Sequence, residues 1–261
     1  MDKKIEIKNL FNLKGKTALV TGGSQGIGRA ISLALAEYGA NLVIVYRSEQ
    51  KLAEQIKLEI QSFGVTCHLI KSDLSNTDAP ETIVSILNEY YLKIDILVLN
   101  ASVQIRNSWD NVSYEEYDFQ MRVNFAASLF LIQKLYPNMC DKNWGRILTI
   151  GSVQQIRPHQ EMLVYAASKM AQLSMVKSLA PQFGLNGVTI NNMAPGAIST
   201  IRNEEVLSNK KYRKLVESKI PIGFIGEARD CASMALLLCS NAGRYITGQD
   251  MFVDGGMGLN F

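Results

Sequence analysis

Seven short runs rich in apolar and β-branched residues, at 16–21, 42–46, 65–71, 95–99, 146–150, 188–193 and 250–253, recur along the chain, with longer segments between most of them. Those segments carry apolar residues at helical spacing. Residues 26–38 align Ile27, Ile31, Leu35 and Tyr38 on one stripe, and 48–63 align Leu52, Ile56 and Ile60. Strands that are apolar throughout need cover on both faces, and helices linking them by right-handed crossovers supply it. The alternation predicts an α/β fold, doubly wound, with a central parallel sheet of about seven strands and helices on both faces. No Pro/Ser-rich linker, repeat or charge block breaks the rhythm, so 1–261 reads as a single domain. The least patterned stretch, 199–223, has clustered charges and reads as a lid over a site or as an ordinary surface insertion.

Composition excludes several classes. Among 261 residues, 27 Lys+Arg stand against 24 Asp+Glu, a formal charge of +3, too near balance to advertise a nucleic acid or an anionic membrane as partner. The apolar fraction of 47% is that of a globular chain. The four cysteines, Cys67, Cys140, Cys231 and Cys239, form no CxxC pair, which fits a reducing compartment. The two histidines, His68 and His159, lack any metal-ligand spacing, so no metal is expected. The charged N-terminal segment has no signal-peptide core, and no stretch reaches the ~20 apolar residues of a membrane span. A cytoplasmic protein is expected.

The first run leads into Thr21-Gly22-Gly23-Ser24-Gln25-Gly26-Ile27-Gly28 and then a helical segment. After a strand, such glycines make a tight turn, let backbone approach a pyrophosphate and let the helix pack closely, while the helix N-terminus offers free N–H groups to the anion. A nucleotide is implied. At the end of the second strand, where a ribose-binding carboxylate favours NAD, stand Tyr46, Arg47 and Ser48, with no acid before Glu49. An arginine there can pair with a 2′-phosphate.

Tyr165-Ala166-Ala167-Ser168-Lys169 sets a phenol and an ammonium at i and i+4, neighbours on one helix face. Of ten tyrosines, Tyr165 alone has a lysine four residues on. Ser152 lies at the end of the fifth strand and Asn124 further upstream. Free tyrosine, with a pKa of ~10, is too weak a base near neutrality. An adjacent Lys169 ammonium, together with the positive ring of a bound nicotinamide cofactor, favours phenolate and is expected to lower it.

The TGxxxGIG turn together with the Asn124–Ser152–Tyr165–Lys169 set resembles the short-chain dehydrogenase/reductase family, and the likeness runs over 13–257. It implies an enzyme of Rossmann-type fold that interconverts a secondary alcohol and a ketone by hydride transfer. Tyr165 would be the general acid/base, Lys169 would hold the nicotinamide ribose, Ser152 the substrate oxygen, and Asn124 a relay water. The resemblance lays the cofactor along Gly22, Ser24, Gln25, Gly26, Ile27 and Gly28, then Tyr46, Arg47 and Ser48, then Asp73 and Leu74. Beyond these it would meet Asn100 and Ala101, and finally Pro195, Gly196, Ile198 and Thr200. NADP(H) is the preferred cofactor on the strength of Arg47, with NAD(H) left open. Leu99 and Ser102 depart from the family's Asn and Gly.

The expected substrate contacts are Ser152, Gln154, His159, Tyr165 and Arg106, a polar set that suits a sugar, sugar acid or cyclic polyol. Gln104, Trp109, Gln155, Gln160 and Glu161 are further candidates. A 3-oxoacyl carrier-protein reductase shares every motif and would use the basic cluster Lys210, Lys211, Arg213, Lys214 and Lys219. A nucleotide-sensing or scaffold protein without turnover is the reading of another class. A homo-oligomer, commonly a tetramer, is implied by resemblance alone.

Overall fold

A computed structural model describes residues 6–259. The first five residues of the charged N-terminal segment, and the last two of the expected single domain, lie outside that range. The strands are β1 (Thr17–Thr21), β2 (Asn41–Tyr46), β3 (Cys67–Lys71), β4 (Ile96–Leu99), β5 (Gly145–Ile150), β6 (Val188–Pro195), β7 (Ile198–Ser199), β8 (Gly226–Glu227) and β9 (Asp250–Val253). Seven of them form one parallel sheet in the order β3-β2-β1-β4-β5-β6-β9, and β7 pairs with β8 apart from it. The helices are α1 (Gly26–Glu37), α2 (Gln50–Gln61), α3 (Ala79–Glu89), α4 (Tyr114–Met121), α5 (Ala127–Asp141), α6 (Leu163–Phe183), α7 (Ile201–Ser208), α8 (Lys210–Glu217) and α9 (Ala228–Leu238). The predicted seven-stranded doubly wound sheet is thus the observed one.

Strand alternation divides the core in two. Leu19, Val43 and Val45 point to one face, where they meet Ile83 and Leu87 of α3, Leu131 and Leu135 of α5, and Val176 of α6. Ala18, Val20, Leu42 and Ile44 point to the other, against Ile31 and Leu35 of α1, Ile56 and Ile60 of α2, and Ala235 of α9. The predicted stripes on α1 and α2 are buried at these positions, whereas Tyr38 closes α1 at the surface. Between α4 and α5 the chain makes one π-helical turn, Arg122–Ala126, so the two helices run on through Asn124. Ser113 starts α4 with a capping box, its hydroxyl accepting from Glu116 N at 3.1 Å.

The stretch 199–223 is more ordered than its sequence implied. It contains α7 and α8, joined at Asn209, whose side chain accepts from the backbone of Lys211 and Tyr212. Eight residues each are too few to display a helical stripe convincingly. β7 and β8 tie its two ends together through Ile198 and Gly226, and Leu207, Ile220 and Ile225 form a small core of their own beneath it. No helix among the described residues is long and apolar enough to cross a membrane.

Candidate active site

Strand order reverses between β1 and β4, and outside the carboxyl ends of these strands lies a cleft of about 400 Å³. It runs from the ends of β2 and β3 past the glycine turn to the ends of β5 and β6, with α7 along one rim.

At the glycine end, Gly22 and Gly26 sit at φ of +62° and +55°, a region that side chains disfavour, so the turn needs glycine there. Gln25 precedes α1 without capping it through its side chain, which leaves the first N–H groups of α1 facing the cleft unengaged by a cap. Asn100 anchors the turn: its Nδ2 donates to Thr21 O at 2.9 Å and Gly22 O at 3.0 Å. The Thr21 hydroxyl accepts from the N–H of Asn100 and Ala101, both at 3.0 Å. Ser24, Ile27, Tyr46, Arg47, Ser48, Asp73 and Leu74 line this part of the cleft. Arg47 is exposed and has no hydrogen-bond or ion-pair partner among the described residues. Asp73 steadies its own loop by accepting from Ser75 N at 2.9 Å.

At the other end, β5 delivers Ser152 and α6 delivers Tyr165, and both line the cleft. Tyr165 is 6% exposed. Lys169, at 1%, does not reach the cleft wall: its Nζ donates to Ile150 O at 2.7 Å and to Gln172 Oε1 at 3.0 Å. One N–H of the ammonium is left for a further partner. Burial, with the Arg202 charge adding to it, lowers the Lys169 pKa to about 7.

The chain's own groups shift Tyr165 upward, so Lys169 by itself does not supply the expected lowering. Burial outweighs the charge of Arg202 and hydrogen bonding with Ser152, both of which act downward, and raises the phenol above its ordinary value. The charge that pulls the phenol downward is that of Arg202, while Lys169 meets the ring face, its Nζ 5.7 Å from the ring centre.

Asn124 also stands back from the cleft, fully buried in the π-helical turn. Its Oδ1 accepts from Val103 N at 2.8 Å, and its Nδ2 donates to Val103 O at 2.9 Å and Ser168 Oγ at 3.0 Å. The carboxamide donors are both engaged, so it clamps the loop after β4 onto α6. Beneath Ser152 lies a polar network that sequence reasoning missed. Gln155 Oε1 accepts from Ser152 N and Asn192 Nδ2, both at 3.3 Å, and Asp250 accepts from Gln155 Nε2 and, at 2.6 Å, from Asn192 Nδ2. Burial holds Asp250 above the usual carboxylate range despite these bonds.

Pro195, Gly196, Ile198 and Thr200 line the cleft after β6. The close approach at Gly196 is to the Asp254 backbone, 2.7 Å from where a Cβ would lie, so packing within the protein already demands glycine. Ile198 O accepts from Asn203 Nδ2 at 2.9 Å. Thr200 lies over Gly26, with Cγ2 3.6 Å from where its Cβ would be.

Of the expected substrate contacts, Gln154 and Arg106 line the cleft and so does Gln104. His159 does not. It lies on an exposed loop whose backbone is held by Gln154 Oε1, and its Nδ1 accepts from Glu161 N. Trp109, Gln160 and Glu161 are likewise exposed outside the wall, and Gln155 lies beneath it. The structure adds Arg202, Val206, Leu207, Tyr212, Val216 and Met257. For all but Met257 the signal was the lid position of 199–223, which named a segment but no side chain.

An anion-receiving turn at one end of a switch-point cleft and a buried phenol at the other are the features of a dinucleotide-dependent oxidoreductase. Residues 22–258 match the family model described as Enoyl-(Acyl carrier protein) reductase. The L-rhamnose 1-dehydrogenase (NADP(+)) of Thermoplasma acidophilum is 34% identical over 252 residues, covering 96% of this chain and 99% of that one. The 3-oxoacyl-[acyl-carrier-protein] reductase of Staphylococcus aureus is 31% identical over 93% of this chain and 98% of its own. A 3-oxoacyl (acyl-carrier-protein) reductase structure from Agrobacterium tumefaciens C58, with NADP bound, superposes with a TM-score of 0.92 at 32% identity, covering 97% and 98% of the two chains. The chain belongs to the short-chain dehydrogenase/reductase family.

Proposed function

We propose that this enzyme interconverts a secondary alcohol and a ketone with NADP(H), acting on a small polar substrate such as a sugar, sugar acid or cyclic polyol. The observation that carries the reading is the shared cleft: Tyr165 and Ser152 stand at one end of the cavity whose other end is the glycine turn. The residues fit the cofactor. Gly22 and Gly26 hold a turn that side chains would obstruct, α1 presents its N-terminus beside Thr200, and Arg47 is a free guanidinium where a 2′-phosphate would lie. The NADP named with the Thermoplasma and Agrobacterium relatives supports NADP(H) over NAD(H).

When bound, the reduced cofactor supplies hydride to the carbonyl carbon. Tyr165, kept protonated by burial, gives its proton to the carbonyl oxygen in reduction; in oxidation its deprotonated form takes the hydroxyl proton. The Ser152 hydroxyl donates to the same oxygen as charge develops there, and the Gln155–Asp250 network holds the Ser152 backbone in place. Lys169 is braced by Ile150 O and Gln172, and in its charged form keeps one N–H for a ribose hydroxyl. Asn124 fixes the π-helical turn through its carboxamide, which bonds Val103 and Ser168.

The reading is tested by fluorescence titration with NADPH and NADH of wild type and Arg47→Ala. Tighter NADPH binding that weakens selectively in the variant supports it; equal or tighter NADH binding overturns the NADP(H) assignment, and no binding of either overturns the enzyme reading. The carrier-protein reductases among the relatives, and the exposed Lys210, Lys211, Arg213 and Lys214 on α8, favour 3-oxoacyl reduction as the second reading. NADPH oxidation by acyl thioesters rather than by sugar ketones would select it.

A further inference from the structure

Among the described residues, the substrate end of the cleft contains two arginines and no acid. Arg106, on the loop after β4, and Arg202, on α7, both line it, whereas the two carboxylates in the wall, Glu49 and Asp73, follow β2 and β3 at the opposite end. Arg106 has no hydrogen-bond or ion-pair partner among the described residues. Arg202 reaches across the mouth to Ser102, its Nη2 donating to Ser102 O at 2.7 Å and to Oγ at 3.2 Å, and its Nη1 to Oγ at 3.2 Å. Both acceptors are neutral, no carboxylate among the described residues pairs with the guanidinium's charge, and Nε–H and a second Nη1 hydrogen have no partner among them. That charge already acts on Tyr165 and Lys169, which places it within electrostatic reach of the reacting end. Ser102 is one of the two departures from the family pattern around Asn100. A glycine in its place would leave Arg202 a carbonyl but no hydroxyl.

We propose that Arg202, steadied by Ser102 and joined by Arg106, is the anchor for a carboxylate on the substrate, which is therefore a hydroxy or keto acid of the sugar-acid type rather than a neutral sugar or polyol. Arg202 can offer a carboxylate a charge-assisted hydrogen bond from its free Nε–H, and Arg106 can offer an unpartnered guanidinium, while no acid among the described residues of that half of the cleft competes for it. Gln104 and Gln154 remain to meet the substrate hydroxyls. The proposal rests on the oxidoreductase reading above and narrows its substrate.

The test compares NADP+-linked oxidation of gluconate, galactonate and xylonate with that of sorbitol, galactitol and xylitol, and with glucose 6-phosphate as the phosphate-bearing arm. At least one acid is expected to exceed its neutral partner in kcat/KM by about fivefold or more, the scale of a solvent-exposed charge pair, since both arginines are exposed. Arg202→Met should collapse that ratio mainly through KM, with Arg202→Lys recovering part of it and the NADPH dissociation constant unchanged. Three results overturn the anchor while sparing the oxidoreductase reading: neutral polyols preferred, the sugar phosphate preferred over every acid, or a ratio indifferent to Arg202→Met. A loss confined to NADPH binding overturns it too, by making Arg202 a cofactor residue. If no alcohol is oxidised, the reading beneath it falls, and the anchor is judged by thermal shift of the NADP+-loaded protein. Stabilisation by an aldonate in wild type but not in Arg202→Met upholds it; no such difference overturns it.

Discussion

Asn100 closes over Gly28 so tightly that a Cβ on the glycine would stand 2.4 Å from Asn100 Nδ2 and 2.3 Å from Gly22 O. Gly28, the last glycine of the run, is thus fixed by the hydrogen bonds that hold the first, because Asn100 must reach Gly22 O through that space. Gly28→Ala should push α1 away from the turn, destabilise the fold by about 1–3 kcal/mol and weaken NADPH binding by about tenfold or more. Thermal unfolding and a fluorescence titration check both; an alanine variant that binds NADPH as tightly as wild type contradicts the packing argument.

Burial of Tyr165 gives the two directions of the reaction opposite pH dependence. With its pKa raised, the phenol carries its proton at neutral pH, ready for reduction. Oxidation needs the phenolate, so its kcat/KM should climb between pH 7 and 10, approaching about tenfold per unit at the limit, while reduction does not climb. A flat oxidation profile across that range contradicts this.

Lys169 makes stability depend on pH in a stated sense. Its pKa falls from an ordinary 10.5 to about 7 in the folded protein. Between those values the unfolded chain holds a proton that the folded one has released, so this group makes the fold more stable as pH rises and weighs against it fully below about pH 7. A Lys169→Met variant lacks the effect. The difference in melting temperature, variant minus wild type, should therefore fall by roughly 5 °C between pH 7 and pH 9.5. A difference that does not move with pH contradicts the buried, neutralised ammonium.

The sheet was legible because its strands are apolar along their whole length, and that pattern has few other uses. Strand ends moved by a residue or two: β3 begins at Cys67 rather than at 65, and β6 runs on to Pro195. The glycine turn and the Tyr165–Lys169 pair were legible because each needs a fixed local spacing. What spacing could not show was depth. Tyr165 and Lys169 are neighbours as expected, but their burial, invisible in the sequence, moves both pKa values toward the neutral forms. Nor could it show partnerships across the chain. Arg202 is one charge among many in its segment, and it acquires meaning only when α7 brings it to Ser102, one hundred residues earlier. His159 was misplaced for the related reason that a polar residue near a site in sequence can face solvent.

The central claim is that Tyr165 moves the proton in a reaction whose cofactor binds independently of its hydroxyl. Tyr165→Phe tests it most directly, with NADPH binding and cofactor-linked turnover measured on the same preparation. The account predicts binding within about threefold of wild type and turnover lower by about 10²–10⁴. Turnover retained near the wild-type rate would contradict it.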